Sequence, residues 1–430
     1  MITVEKIKEL FHELWPIHRT IVSAEFDESL KIIEKYWNNP WTDFHFVASG
    51  TRLQCGWIVP QGWKCRDAFI KNQSGDRILS YSDTNLRVMS HSRKVDFFDL
   101  PWEDLQKHLY TSKARPSAIP YITSYYSDSD WAFCLSETEL ENLKGSYDGG
   151  RVFIDSEHFP FHLTIAERHF GNRDNYIIVA TYLCHPSMAN NELSGPLVFA
   201  ELVRLFETHN PDLSKTGIKF IIWPETIGAI AYMDLLNHKS PPHKPQPVIT
   251  LTCLGLSRDR YEILGGKNSS WNQQIYKRLG TNDDDLIPWT KRGSDERQFN
   301  FPNSKYFSCT ISRGIFGSYP EYHTSEDNLS LIDFDYLLKV SRDLYALLLE
   351  ATTISRPYYP HSHEPFLSSY GLYPKISKGA NRSLGKDLCE IFFYCDGLKT
   401  VEEITAEVPH FSEKYVLQLI ELGYEMELLL

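Results

Sequence analysis

Hydrophobic and polar positions change their period several times along this chain of 430 residues. Over residues 2–37 the apolar positions fall at helical spacing, with Leu10, Leu14 and Ile17 on one face. Pro16 breaks that helix, and a second one opens near Phe26. From about Phe44 to residue 100 the pattern shortens to alternating strands such as Gly56–Val59 and Arg77–Tyr81, with turns at Gln61-Gly62 and Ser74-Gly75-Asp76. These residues predict a small all-β module with Trp57 and Trp63 in or near its core. Residues 115–165 are mixed, with an aromatic run from Tyr121 to Tyr126 and a strand from Arg151 to Asp155.

Beyond residue 170 the rhythm becomes regular. Apolar strands at about 176–184, 217–223, 247–254 and 305–312 alternate with helical patterns at about 193–207, 226–238, 269–280 and 333–352. This alternation predicts an α/β fold with a mixed, largely parallel sheet and helices on both faces. The expected organisation is a discontinuous α/β domain over 1–43 and 101–355, an inserted β domain over 44–100, and a linker with a C-terminal module over 356–430. Three short helices near 384–394, 399–407 and 411–422, followed by an apolar end, suggest a winged-helix-like tail.

Composition narrows the partners. Hydrophobic residues make up 42% and aromatics 13%, enough for a packed core. A net charge of -12 leaves no broad basic surface for nucleic acid or anionic lipid. Residues 383–430 hold three lysines against ten carboxylates, so the tail is expected to pack or to dock a partner and not to bind DNA. The charged start MITVEKIKELFHEL is unlike a signal peptide, and no apolar run reaches the roughly 18 residues of a membrane span. Eight scattered cysteines without a C-x-x-C pair read as reduced thiols, and the expected location is the cytoplasm. The aromatic runs at Tyr121–Tyr126 and Tyr358–Tyr359 suit core packing or a homo-oligomer interface equally.

Polar chemistry collects where strands end. Cys184-His185-Pro186 closes one strand and leads through Ala189-Asn190-Asn191-Glu192 into a helix. Glu225 closes the next strand, Tyr322-His323-Thr324 follows the last, and Gly293-Ser294-Asp295 lies in a charged loop. The carboxyl ends of strands in such sheets are where ligands sit. Each residue also has a plain alternative: a hydrogen-bonded loop histidine for His185, a helix-start carboxylate for Glu225, a capping sequence around His323, and an ion pair with Arg292 or Arg297 for Asp295.

Their order resembles that of zinc-dependent aminopeptidases of the leucyl-aminopeptidase and transferrin-receptor clan. Arg66-Asp67-Ala68, Ala118–Tyr121, Ser124–Tyr126, Tyr319–Ser325 and Gly371–Pro374 further resemble the bacterial aminopeptidase-like proteins encoded with polysaccharide-biosynthesis genes. That resemblance spans essentially the whole chain and implies an inserted β domain and a C-terminal winged helix. It implies His185 and His323 as metal ligands and Glu225 as the catalytic base. The bridging aspartate of the two-zinc enzymes falls on Asn191, the glutamate ligand on Thr226 and the second aspartate on Thr252.

Two divalent ions a few ångströms apart need several carboxylates, so one zinc is the expectation. Its ligands would be His185, His323 and an oxygen from Asn191, or from Glu192 if the loop is rotated by one residue. Asp295 and Tyr322 are expected as substrate contacts, with Asp295 holding a substrate ammonium or orienting a histidine. The resulting reading is a metal-dependent amide or peptide hydrolase acting on a small or peptide-like substrate, such as an aminoacyl or amino-sugar conjugate. The alternative is an inactive aminopeptidase-like scaffold, favoured by Asn191, Thr226 and Thr252.

Overall fold

A computed structural model describes residues 4–127, 129–239, 241–266, 269–280, 286–372 and 383–430. Helices α1 (Val4–Leu14) and α2 (Ala24–Glu34) bury the faces that carry Leu10, Leu14, Phe26 and Leu30. Ser23 caps α2 by accepting the Phe26 N–H. Strand β1 (Asp43–Ala48) is followed by β2 (Gly62–Lys71), β3 (Arg77–Ser80) and β4 (Val95–Phe97). The short elements α3 (Trp102–Leu105), β5 (Leu109–Tyr110), β6 (Phe133–Cys134) and α4 (Glu137–Ser146) lead to β7 (Val152–Phe159) and β8 (His162–Phe170). Then β9 (Tyr176–Tyr182), α5 (Ser194–His209), β10 (Gly217–Trp223), α6 (Ile227–Lys239) and β11 (Gln246–Leu251) alternate. The series closes with β12 (Glu262–Leu264), α7 (Ser269–Leu279), β13 (Leu286–Ile287), α8 (Glu296–Phe299), β14 (Tyr306–Ser312) and α9 (Phe334–Thr353).

Eight strands form one sheet in the order β1-β8-β10-β9-β11-β14-β12-β13. The central four run parallel, while β1 and β8 at one edge and the β12–β14 pair at the other are antiparallel. Strands β9, β11 and β14 are buried at every position, as parallel strands covered on both faces must be. Side chains of α1, α2, α5, α7 and α9 build the core on one face, and those of α6 and Phe299 of α8 contribute to the other. Register aligns Thr181 with Ile222 and with Leu251, and Leu251 with Ile311. The loops after β9, β10, β11 and β14 therefore leave the sheet at one edge.

Strand pairing crosses the expected 44–100 boundary at two places. Strand β1 joins the large sheet, and the second sheet has the order β3-β2-β7-β4, taking its third member from residues 152–159. The alternating burial of Val152, Ile154 and Ser156 supplies the apolar face that β2 needs as a partner. Trp63 is buried in this core and donates Nε1–H to the Ser92 carbonyl, whereas Trp57 lines a cleft of the larger domain.

Helices α10 (Leu384–Tyr394), α11 (Val401–Glu407) and α12 (Glu413–Glu425), capped by Ser383, Thr400 and Ser412, pack around a core of their own. Among the described residues of 356–430 there is no β-hairpin wing. The apolar chain end instead pairs with the linker, as Leu430 and Tyr358 exchange backbone hydrogen bonds. Tyr373 and Pro374 lie outside the described residues. All eight cysteines are free thiols. No helix among the described residues is long and apolar enough to cross a membrane.

His18 and His91 both pack against Trp63. Burial lowers each to about 3, helped by Arg19 at His18 and by His158 at His91. In the unfolded chain they titrate near 6.5, so below that pH the unfolded state binds protons that the native state refuses. Stability is thus complete above pH 6.5 and falls as pH drops toward 3, by about 1.4 kcal/mol per pH unit for each histidine. Urea unfolding followed from neutral pH down to about pH 5 should show this slope. The variant His91→Asn, which tolerates the φ of +68° at this position, should flatten it; an unchanged slope would assign the effect to other groups.

Candidate active site

After β9 the chain runs through buried Leu183, Cys184 and His185, and turns at Ser187 with φ +47°. It then makes one π-helical turn over Ala189–Leu193, all five residues buried, before α5 begins. Gly195 lets α5 lie directly on the strands: a Cβ there would sit 2.5 Å from Thr181 Oγ1 and 2.6 Å from the Leu251 carbonyl oxygen. The N–H groups of such a turn have no partners within the helix. Asp327 takes them, Oδ1 accepting from Asn190 N–H at 2.6 Å and Oδ2 from Asn191 N–H at 3.0 Å. The Tyr319 hydroxyl also donates to Oδ2, at 2.9 Å. Asn190 Oδ1 accepts from Gly255 N–H and Ser194 Oγ from Leu254 N–H, each at 2.8 Å. The loops after β9, β11 and β14 are thereby joined.

Residues 115–121 are strapped along the last of these loops. Tyr121 N–H donates to the His323 carbonyl at 2.8 Å, Ile119 N–H to Ser325 Oγ at 3.0 Å, and Ser325 N–H to the Ile119 carbonyl at 2.8 Å. Arg115 and Ser117 both hold Glu326.

Between the loops lies a cleft of about 310 Å³ whose wall includes Trp57, Tyr121, Tyr126, His185, Glu225 and His323. The His185 ring lies 5.4 Å from that of His323 and 4.8 Å from that of Tyr121. Its Nδ1 is 3.0 Å from Cys184 Sγ and 3.4 Å from Glu192 Oε2. Glu192 Oε1 accepts the backbone N–H groups of Cys184 and His185, while Oε2 has no hydrogen-bond partner. Cys184, His185 and Glu192 present donor atoms within 4.8 Å of one another. Glu225 Oε1 accepts from Ser294 Oγ at 2.8 Å, and the Glu225 N–H donates to Cys184 Sγ at 3.3 Å.

Burial sets the protonation states. The His185 ring is held well below its ordinary value by burial, then by His323 and Arg19, and burial lowers His323 to about 4. Both imidazoles are therefore neutral, the form that binds metal. Burial raises Glu192 to about 7 against the pull of Arg19, and raises Glu225 to about 8 with help from Asp295. The neutral imidazole of His185 and the Glu192 oxygen without a hydrogen-bond partner are donors of the kind a divalent cation takes, and the ring of His323 lies 5.4 Å from that of His185.

His185, Glu225 and His323 all line this cleft. Asn191 is not the side chain that reaches His185. Its Nδ2 donates toward Tyr182 Oη at 3.3 Å and its Oδ1 has no partner, whereas the next residue, Glu192, sits beside the ring. The π-helical turn causes this shift of one residue. Asp295, expected as a substrate contact, is fully buried with both oxygens occupied: Trp223 Nε1–H and Thr226 N–H each donate at 2.6 Å. It clamps the strained Thr226, whose φ is +64°. Tyr322 stacks on His323 at 3.9 Å and 14°. Thr252 makes hydrogen bonds to Tyr182 Oη at 2.5 Å and to the Asn191 carbonyl at 3.3 Å.

Three further residues belong to the site. Cys184 follows β9 at the end of an apolar run. Asp327 belongs to a stretch that resembles a local helix cap but caps a distant turn. Arg19 is fully buried, gives Nη1–H to the carbonyls of Leu14 at 2.7 Å and Ile17 at 3.3 Å, and leaves Nε and Nη2 without partners.

Asp295→Ala would strand the Trp223 and Thr226 donors in the interior, and we expect a loss of about 2–5 kcal/mol in denaturant unfolding. Asp295→Asn, which keeps one acceptor oxygen, should lose about half as much. A loss below about 1 kcal/mol in the alanine variant would mean that both donors find other acceptors.

Residues 8–352 match the family described as a domain of unknown function, DUF4910. A Clostridium acetobutylicum protein named for polysaccharide biosynthesis and an aminopeptidase-like domain is 30% identical over 385 residues, covering 87% of this chain and 85% of that protein. A crystal structure from Clostridium acetobutylicum described as a peptidase superposes with a TM-score of 0.74 at 26% identity, covering 99% of this chain and 96% of that one. BSAP, a zinc aminopeptidase from Bacillus subtilis, shares the fold with a TM-score of 0.53 at 15% identity, over 81% of this chain and 93% of its own. The chain therefore belongs to the DUF4910 family of aminopeptidase-like proteins, built on the zinc-aminopeptidase fold.

Proposed function

We propose that this protein is a metal-dependent hydrolase of amide or peptide bonds with one zinc ion, held by His185, His323 and Glu192. The observation that carries this reading is the unpaired Glu192 Oε2 beside His185, in a cleft that also holds Glu225. Cys184 is the weaker donor, because burial pushes its thiol far above its ordinary range and thiols ligate as thiolates. Zinc bound here supplies Lewis-acid polarisation of the scissile carbonyl and makes the attacking water more acidic.

The remaining work falls to side chains of the chain itself. Glu225 receives the proton of the attacking water at Oε2, since Oε1 is engaged by Ser294, and passes it to the leaving nitrogen. A proton affinity raised to about 8 by burial and by Asp295 suits both halves of that transfer near neutral pH. Asp295 fixes the loop that carries Glu225, and Tyr322 orients His323 by stacking. The aromatic wall of Trp57, Tyr121 and Tyr126 suits a substrate with a ring or flat apolar part. Together with the name of the Clostridium acetobutylicum relative, this supports an aminoacyl or amino-sugar conjugate of polysaccharide biosynthesis, processed in the cytoplasm.

A second reading, a non-catalytic binding scaffold, is favoured by Asn191, Thr226 and Thr252 at positions where the resemblance implies carboxylates.

Elemental analysis of untagged protein dialysed against micromolar zinc should find about one zinc per chain. His185→Ala and Glu192→Gln should each lower that content. Glu225→Gln should retain it while amide hydrolysis falls by about 10²–10⁴-fold. Folded protein that retains no zinc, with Glu192→Gln indistinguishable from the parent, would favour the scaffold.

A further inference from the structure

Few charges line the cleft that holds His185 and His323. Among the described residues Glu225 is the sole carboxyl group of its wall. One oxygen of Glu225 is engaged by Ser294, and the other takes the proton of the attacking water. Glu192 and Asp295 lie fully buried behind the wall, and Asp295 gives both oxygens to Trp223 and Thr226. A substrate with a free amino terminus would thus find no carboxylate for its ammonium. A charge brought into such a cleft without a partner bears its full desolvation cost.

The opposite sign is on offer. Arg297 is the one cation of the wall among the described residues. Its Nη2 donates to Thr226 Oγ1 at 2.7 Å, the one side-chain hydrogen bond that it makes there, and its Nε is shut off from solvent without a partner. Glu225 and Asp295 attract the guanidinium, yet among the described residues it forms no ion pair. Glu296, the preceding residue, uses its carboxylate on Gly293 N–H, Ser294 N–H and Thr310 Oγ1. Thr226, which holds the guanidinium, has φ +64° and is itself clamped by Asp295. Arg297 is therefore fixed in place but not neutralised.

The rest of the wall is flat and uncharged. Trp57 sits on a tight hairpin, in which Leu53 N–H donates to the Trp57 carbonyl at 2.8 Å and Val59 N–H to the Thr51 carbonyl at 3.0 Å. Its ring meets that of Tyr126 at 6.0 Å and 66°. The hydroxyls of Tyr121 and Tyr125 pair with each other at 2.7 Å, which leaves their rings as apolar surface.

We infer that the cleft takes an N-acylated compound bearing a carboxylate, with Arg297 on the carboxylate and Trp57 and Tyr126 against a ring. This rests on the hydrolase reading and narrows its substrate to amides without a free amino terminus. A guanidinium fork matches a carboxylate by two parallel hydrogen bonds. One such group answers one negative charge, whereas a phosphate monoester would call for further cations that the wall lacks. In the reaction water adds to the acyl carbon and the C–N bond breaks. The proton taken by Glu225 goes to the leaving nitrogen, so an acid and an amine result. Arg297 selects the substrate and takes no part in those transfers.

Titration calorimetry of the full chain carrying Glu225→Gln, which slows turnover of the probe, tests this. The probes are hippurate (N-benzoylglycine), its neutral carboxamide, phenylalaninamide and phenyl phosphate. We expect hippurate to saturate one site about tenfold or more tighter than its carboxamide, and phenylalaninamide not to bind. Arg297→Met should abolish the preference for hippurate, and Arg297→Lys should lose most of it, because an ammonium lacks the fork. A purely structural Arg297 would weaken hippurate and its carboxamide equally. That result, no saturable heat with hippurate, an intact preference in either Arg297 variant, or tighter binding of phenyl phosphate would each overturn the assignment. The same preference in protein that retains no zinc would uphold Arg297 and count against the hydrolase alone. Zinc-bearing protein without the preference would overturn Arg297 and leave the hydrolase standing.

Discussion

The Asp327 carboxylate is the point on which the polar end of the sheet depends. Its two oxygens accept the backbone of Asn190 and Asn191 and the hydroxyl of Tyr319, so a loop after β14 fixes a turn after β9. A buried acceptor at the start of a helix answers both the unpaired N–H groups and the positive end of the dipole. With Asn190 and Asn191 pinned by their backbone, Glu192 is directed at His185. Asn190 and Ser194 then extend the same network to Leu254 and Gly255. The cleft is thus held by polar contacts between loops, laid over strands fixed by their backbone ladders and by packing.

Much of this was legible in the residues. Continuous apolar runs at 176–182, 217–223 and 306–312 mark strands buried on both faces, and the helices between them fall within a few residues of their periodic patterns. His185, Glu225 and His323 could be read because each follows such a run. Strand β8, with His162, Thr164, Glu167, Arg168 and His169, could not, because its charged residues are paired by tertiary contacts, Glu167 with Lys219 and Arg168 with Glu207, and they erase the apolar signal. That Glu192 and not Asn191 lies beside His185 follows from a single π-helical turn, which leaves no periodic trace in so short a stretch. Arg19 was hidden for another reason: its burial arises from tertiary packing, and nothing in its neighbours along the chain signals it.

Neutral side chains occupy part of the site. Tyr182, Asn191, Thr252 and Cys253 form a hydrogen-bonded patch where the resemblance implies anionic ligands. What remains is Glu192, Glu225, Asp295 and Asp327, all raised above their ordinary range chiefly by burial, and the guanidinium groups of Arg19 and Arg297. Burial of these carboxyl groups raises their proton affinity, so the patch carries less negative charge than their number implies.

The strap of residues 115–121 along the His323 loop bears on how such a chain can diversify. The strap lies between strands of the smaller sheet, β4 and β7, yet its backbone completes the loop that carries His323. Excising the smaller sheet would remove the strap with it and leave that loop unsupported. The smaller sheet and the loop that carries His323 are therefore coupled through the chain: changes at the tips of the smaller sheet leave the strap in place, and changes at its roots do not.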